Sequence, residues 1–283
     1  MTAQAGIYST HPISMSTRSV WPMMENMILP AEGESGGGVR INHTRLRVLN
    51  TAISYALLLE REQIPEPTWS QNGLLMCALE ALTQTSPGGA PYGAKDVSVL
   101  TAIARTMKAQ GPSVFSHFTH ALSFVPMSDN GLLREALLLS AELESSYGNL
   151  TRFAMEDESF KAWTVFSTLP GVRDDVARAR GNMFTYLLWT RLGVFSSARW
   201  SIPPPWSPEL ASKMLDMGII SLDSETPLAP GECFRMPTPE QPGYARASGL
   251  LYAGSSLAIR YAAEEANLSP YAVWRFATTD WTD

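Results

Sequence analysis

The run VRDDVARARGNMFTYLLWTRL, residues 172–192, decides the fold. Its apolar residues recur at helical spacing, and Gly193 follows the last of them. Such a pattern, closed by a glycine, predicts one long helix over 172–192. The same run also carries six charged side chains, and four of them are arginines.

Three arginines of this run share one face of the predicted helix. Arg173, Arg180 and Arg191 are 7 and 11 residues apart. At about 100° per residue they fall within about 20° of one another. Phe184 lies on the same face, while Arg178 lies on the other side. The spacing therefore predicts arginines on an apolar-flanked stripe.

Arginines that face a groove or a core need an anionic partner. One candidate is the phosphate backbone of single-stranded RNA, with Phe184 stacking on a base. Another is a carboxylate from a neighbouring helix, for which the run 135–158 supplies several acids. The sequence leaves both interpretations open.

Outward from this run, the remaining sequence predicts further helices. Asn42 and Ser207 are placed to cap two of them, Pro208 stands at a first helical position, and Gly148 is expected to close the helix that precedes it. No long alternating strand pattern occurs, so we expect an all-α fold with a single helical core. The predicted ranges are 42–61, 69–83, 95–110, 113–124, 131–147, 158–168, 208–217, 245–266 and 270–277.

The chain divides by composition into three parts. Residues 1–41 are rich in Pro and Gly and predict a flexible, extended N-terminal arm. Residues 42–193 form the helical core, and residues 194–283 form a Pro-rich, partly irregular C-terminal region. The arm contains an apolar patch that we expect to contact a neighbouring subunit, although it could instead pack on its own core. The predicted subunit contacts are Trp21, Met24, Ile28 and Leu29.

Charge is sparse for a chain of 283 residues. Charged side chains make up 17% of the residues, against an ordinary share of about a quarter. A surface low in charge favours burial against neighbours, so we expect a homo-oligomer. The net charge of −6 excludes a broad basic face for nucleic acid. Arginine outnumbers lysine by 17 to 4, which favours phosphate contacts or reflects coding bias.

No local motif for catalysis or for a cofactor is present. His117 and His120 have the i, i+3 spacing of a metal pair but lack acidic or cysteine neighbours. The acidic run 156–158 is explained by the dipole of the helix that follows it. We therefore expect no metal, no cofactor and no enzymatic activity, while an enzyme built from scattered residues stays an alternative.

Targeting signals are also lacking. The N-terminus has no charged region followed by an apolar one, and no stretch of 18 apolar residues occurs. These features predict an intracellular protein without a membrane partner.

The segment from Tyr147 to Arg180 resembles the core of flexuous filamentous RNA-virus coat proteins. It holds an aromatic-rich helix around Trp163, then Pro170, and then the Arg-x-Arg pair Arg178 and Arg180. In the family an aspartate occupies the position of Thr164, so its support for the RNA pocket is missing here. The resemblance implies a helical coat or nucleocapsid protein that packages single-stranded RNA.

Composition adds a second likeness. Pro, Ala and Ser together make up 80 of the 283 residues, which resembles the Pro-Ala-Ser-rich RNA-coating proteins of fungal viruses. Both likenesses imply that the protein occurs in a virion or in the host cytoplasm. The expected function is self-assembly with packaging of single-stranded RNA through Arg173, Arg178, Arg180, Arg191 and Phe184. The alternative is a self-assembling structural protein that binds no nucleic acid.

Overall fold

The computed structural model describes residues 19–28, 38–51, 64–84, 92–107, 113–127, 131–173, 175, 178–222 and 244–278. These residues fold almost entirely into helices, which confirms the predicted all-α class. Their elements are α1 (Trp21–Ile28), β1 (Val39–Ile41), α2 (His43–Thr51), α3 (Gln71–Gln84), α4 (Ala94–Thr106), α5 (Val114–Ser123), α6 (Leu132–Met155), α7 (Ser159–Phe166), α8 (Ala179–Leu192), α9 (Ala198–Ser201), α10 (Pro208–Asp216), β2 (Ile220–Leu222), α11 (Tyr244–Ala266) and α12 (Pro270–Thr278).

Helix α8 lies at the centre of the fold, packed against α3, α7 and α9. Most of its residues are buried, including polar ones that a surface helix would expose. A helix that is buried nearly all round belongs to a core. The buried residues are Ala179, Arg180, Gly181, Asn182, Phe184, Thr185, Leu187, Leu188 and Leu192.

The prediction of one helix over 172–192 was wrong at its N-terminal end. The chain turns after Pro170, and α8 begins only at Ala179, directly after Arg178 with φ +52°. The Asp175 carboxylate accepts the backbone N–H of Arg180 at 2.8 Å. This carboxylate satisfies a donor that the first turn of a helix leaves free, so it fixes the helix start there. Arg173 therefore lies outside the helix.

Helices α5 and α6 pack together as neighbours. The Ser140 hydroxyl on α6 donates to the Phe115 carbonyl on α5 at 3.0 Å. The prediction that Gly148 ends this helix was wrong, because α6 continues for seven residues to Met155. Leu143, Leu150 and Phe153 keep one face of α6 in the core, and their burial extends the helix past the glycine.

The C-terminal helix α11 organises the other side of the molecule. It is buried from Ala247 to Ile259 and packs against α1, α2, α12 and both strands. A Cβ on Gly254 would lie 2.4 Å from Val39 Cγ1. The glycine therefore lets β1 approach the helix backbone.

The described residues also form a small sheet that the sequence did not predict. Strand β1 pairs antiparallel with β2, so that Val39 faces Leu222 and Ile41 faces Ile220. Each strand has three residues, too few for alternation to stand out from the sequence.

Both predicted caps are confirmed. The Asn42 carboxamide oxygen accepts the backbone N–H groups of Thr44 and Arg45, each at 3.1 Å. The Ser207 hydroxyl accepts the N–H of Leu210 at 3.2 Å, with Pro208 at the first helical position.

Cys77 of α3 provides a test of this packing through its titration. The thiol is buried, and burial raises its pKa from an ordinary value of 9.0 to about 12. Above pH 9 the thiol ionises in the unfolded chain but not in the folded one, so stability falls as pH rises. Between pH 8 and pH 10, we expect the wild type to lose about 1.4 kcal/mol more unfolding free energy than Cys77→Ala. Urea unfolding at both pH values measures the difference, and parallel pH profiles would contradict it.

Candidate functional site

Arg180, in the first turn of α8, is the most deeply buried charge on the predicted arginine stripe. Its side chain has no exposed surface. Nη1 lies 3.0 Å from Glu135 Oε2 on α6, and the Gly171 carbonyl accepts from the same nitrogen. The guanidinium carbon also lies 5.5 Å from the centre of the Tyr92 ring. The charge is therefore enclosed by an ion pair, a carbonyl and an aromatic face.

Tyr92 completes this arrangement from the loop before α4. Its hydroxyl donates to the same Glu135 Oε2 at 3.0 Å. Desolvation lowers the pKa of Arg180 to about 10, which still leaves the guanidinium protonated at neutral pH. We name Tyr92, Glu135, Gly171 and Arg180 the arginine clamp. It joins three segments that are far apart in the sequence.

Gly171 is required by the clamp for two reasons. Its φ is +75°, a conformation that residues with a Cβ rarely adopt. A Cβ would also lie 3.2 Å from Glu135 Cβ and 3.6 Å from Arg180 Nη1. The turn after Pro170 thus brings a bare backbone carbonyl to the guanidinium.

A second buried polar group lies two residues further along α8. The Trp163 indole N–H donates to Asn182 Oδ1 at 2.9 Å, and Asn182 Nδ2 donates to the Tyr252 hydroxyl at 2.7 Å. Burial raises the pKa of Tyr252 well above its ordinary value, so the hydroxyl stays protonated. These hydrogen bonds connect α7 and α11 to α8 within the core, so their role is structural.

The five residues predicted to bind RNA do not come together. Arg180 and Phe184 are fully buried, and Phe184 stacks on Phe166 with ring centres 5.2 Å apart. Neither side chain is open to RNA in this conformation. The carboxylate partner of Arg180 does come from the run 135–158.

The other three predicted arginines reach the surface at two separate places. Arg173 is exposed in the turn before α8, and Arg178 is half-buried there with Nη1 3.4 Å from the Ser167 carbonyl. Arg191 lies near the opposite end of α8, where it pairs with Glu80 at 3.0 Å. Fourteen residues of helix separate the two places by about 20 Å. Within the described residues, the five side chains therefore do not share one surface.

The predicted subunit contacts also have a different setting. Trp21 and Met24 are buried against α11, and the Trp21 indole N–H donates to the Trp200 carbonyl at 2.7 Å. These two side chains fill the interior of their own chain and are not open to a neighbour in this conformation. Ile28 is half-buried, and Leu29 lies outside the described residues.

Sequence reasoning missed Tyr92 and Asn182, and it included Glu135 only as one acid of the run 135–158. Glu135 and Tyr92 lie 45 and 88 positions away from Arg180, so no local pattern connects them. Asn182 falls on the side of the predicted helix opposite Arg173, Arg180 and Arg191, so helical spacing alone did not predict its burial. The apolar residues on nearly every face of α8 could have shown that its polar side chains are internal.

The described parts of the chain hold neither a candidate metal site nor a membrane span. No group of three or more His, Cys, Asp or Glu side chains there could hold a metal ion. None of the helices described is both long enough and apolar enough to span a bilayer. His117 and His120 are exposed, and the His120 ring meets Phe124 edge to face at 4.9 Å.

Comparisons with protein-family models, with curated proteins and with solved structures give no match to this chain. Its function is therefore inferred from the residues themselves.

The arginine clamp predicts an asymmetric response to mutation. Glu135→Ala leaves a buried guanidinium without its carboxylate, and we expect a loss of about 3 kcal/mol of unfolding free energy. This is the lower end for a broken buried pair, because the Glu135 side chain is 30% exposed. Arg180→Met should lower the unfolding free energy by less. The Glu135 carboxylate that remains still accepts the Tyr92 hydroxyl and is partly exposed to water.

Urea unfolding with Glu265→Ala as an exposed control checks this order. The control should change stability by no more than about 0.5 kcal/mol. Equal stability of Glu135→Ala and the wild type would show that the clamp contributes nothing.

Proposed function

We propose that this chain is a structural subunit that assembles with further copies of itself into a coat around single-stranded RNA. The observation that carries the assembly is the turn Phe124–Met127, which follows α5. Its four residues, Phe124, Val125, Pro126 and Met127, are all apolar, and none of them is buried. Phe124 is 74% exposed.

Such a turn is costly for a chain that stays alone in water. Phe124, Pro126 and Met127 are exposed, whereas Val125 packs partly against the core. Exposed apolar side chains that lie close together favour a partner that covers them. The turn is nevertheless held in place, since the Val125 N–H donates to the Leu122 carbonyl at 3.0 Å and the His120 ring supports Phe124. A fixed projecting apolar turn is suited to docking in a neighbouring copy.

A contact of this kind has consequences for symmetry. Docking of the turn in a different surface of the next copy makes the contact heterologous. Heterologous contacts generate rings or open helical filaments, which are the geometry of a coat. The sparse charge of the chain, 17% of residues, supports the same proposal because it lowers the cost of burying surface.

The RNA part of the proposal uses the arginines that reach the surface. Arg173 and Arg178 lie between Gly171 of the arginine clamp and the start of α8, which the Asp175 carboxylate caps. We assign phosphate contacts to these two side chains and exclude Arg180 and Phe184, which are buried. Assembly without nucleic acid is the competing proposal, and it agrees with the acidic net charge of −6.

Substituting Phe124 tests the assembly. Phe124→Ser removes an exposed ring, so we expect the unfolding free energy to change by less than about 0.5 kcal/mol. Large assemblies should disappear from sedimentation velocity runs, whereas Met217→Ser, another exposed apolar position, should leave them intact. Assembly of Phe124→Ser at the wild-type level would refute the role of this turn.

RNA binding by the two surface arginines has its own test. Assemblies of the wild type should contain nucleic acid by their absorbance at 260 and 280 nm. The double variant Arg173→Ala/Arg178→Ala should retain less RNA, and the log–log slope of binding against salt should fall by about 0.7 for each phosphate that is no longer neutralised. Arg105→Ala, an exposed arginine on α4, serves as the control. Assemblies with the spectrum of pure protein would favour the competing proposal.

A further inference from the structure

We propose that α6 pairs with α6 of a second copy, antiparallel about a two-fold axis level with Tyr147. This inference deepens the proposed assembly and rests on it, but it concerns a different surface from the turn Phe124–Met127. We call this surface the outer face of α6. Its residues are all exposed, and they are Arg134, Leu138, Ala141, Glu142, Ser145, Gly148, Asn149 and Arg152.

A glycine stands in the middle of this face. Glycine inside a helix costs about 0.5–1 kcal/mol relative to alanine. At Gly171 and Gly254 the chain itself needs the missing Cβ, but a Cβ on Gly148 would meet no described atom within 4 Å. The isolated chain therefore gains nothing from Gly148. A partner helix that approaches the backbone closely would explain it.

Apolar surface is also exposed along the helix. Leu138 is 46% exposed and Met155 is 77% exposed. Between them the outer face carries the short side chains of Ala141 and Ser145, which allow a close approach. The outer face of α6 thus has short side chains in its middle and Leu138 towards one end, and Met155 lies just beyond its other end.

Two charged residues on the outer face of α6 indicate that its partner is a second copy of the chain. Glu142 and Arg152 are both exposed, and neither forms an ion pair within the described part of the chain. The nearest polar contact of the Glu142 carboxylate is the Ser145 hydroxyl at 3.4 Å, and the Arg152 guanidinium lies 5.3 Å from the Phe153 ring centre. Ten residues of helix keep the two charges about 15 Å apart, so they cannot pair with each other in one copy.

An antiparallel copy pairs them twice. With the axis level with Tyr147, Glu142 of each copy faces Arg152 of the other. Ser145 then faces Asn149, and Leu138 comes level with Met155 to within one residue. In a parallel pairing, Glu142 would lie beside Glu142 of the other copy, and Arg152 beside Arg152. The face is therefore complementary to itself, as a two-fold contact requires.

Two kinds of contact also fit one assembly. A two-fold pairing through α6 closes on itself, whereas the apolar turn links copies in a chain. The two together would give a filament built of dimers. One helix pair is a small interface compared with stable dimers, so we expect α6 pairing to be seen at high protein concentration.

Charge reversal of the full-length chain tests the pairing. In a Phe124→Ser background, which removes the proposed docking turn, the parent should form dimers by sedimentation equilibrium. Glu142→Arg alone and Arg152→Glu alone place like charges opposite each other, so each should weaken dimerisation about tenfold or more. The double variant should return to within about threefold of the parent.

Mixing gives the sharpest comparison. The two single variants should form a heterodimer with each other more tightly than either forms a homodimer, because each then meets the opposite charge. Gly148→Trp should remain folded by circular dichroism and no longer dimerise, whereas Gly148→Ala should fold with equal or higher stability.

The size of the assemblies formed by the wild type distinguishes α6 pairing from the proposed coat. The inference is overturned if no dimer forms, if the single reversals dimerise like the parent, or if neither the double variant nor the mixture recovers. Any of these results with large assemblies still present in the wild type would leave the turn Phe124–Met127 as the assembly surface. Dimers without larger assemblies in the wild type would refute the proposed coat and keep the α6 pairing.

Discussion

The burial of one arginine constrains much of this structure. A guanidinium removed from water must have a carboxylate and further acceptors around it, and Arg180 obtains them from Glu135 and the Gly171 carbonyl. To deliver these groups, α6 has to lie beside the start of α8, and the chain after Pro170 has to turn through a left-handed glycine. The ring and hydroxyl of Tyr92 then close the remaining side. The clamp thus sets the position of the central helix.

The same helix carries the link to the other half of the molecule. Asn182 bridges Trp163 on α7 and Tyr252 on α11, so the polar side chains of α8 face partners on both sides. A core that contains such hydrogen bonds admits few alternative packings, since each shift would leave a buried polar group unsatisfied. In this conformation the side chains of Arg180 and Asn182 are buried and not open to other molecules. The surfaces that we propose for assembly lie elsewhere, on the turn after α5 and on the outer face of α6.

The sequence predicted the fold class and most helices, because periodic apolar residues and local caps such as Asn42 and Ser207 are short-range signals. The predicted helix ends were wrong where contacts between residues far apart in the sequence determine them. The start of α8 depends on Asp175 and on the clamp, and the continuation of α6 past Gly148 depends on the burial of Leu150 and Phe153. For the site, helical spacing identified Arg180 as unusual but could not choose between RNA phosphate and a carboxylate 45 residues away. The sequence shows Phe124–Met127 as an apolar run, but only the structure shows that Phe124, Pro126 and Met127 are exposed.

We propose that the chain covers its exposed apolar surfaces with copies of itself. Sedimentation velocity of the unmodified chain over a wide range of protein concentration, with electron micrographs of the largest species, tests it most directly. We predict that species much larger than one chain grow with concentration and form filaments or shells. A single species with the mass of one chain at every concentration would contradict the claim.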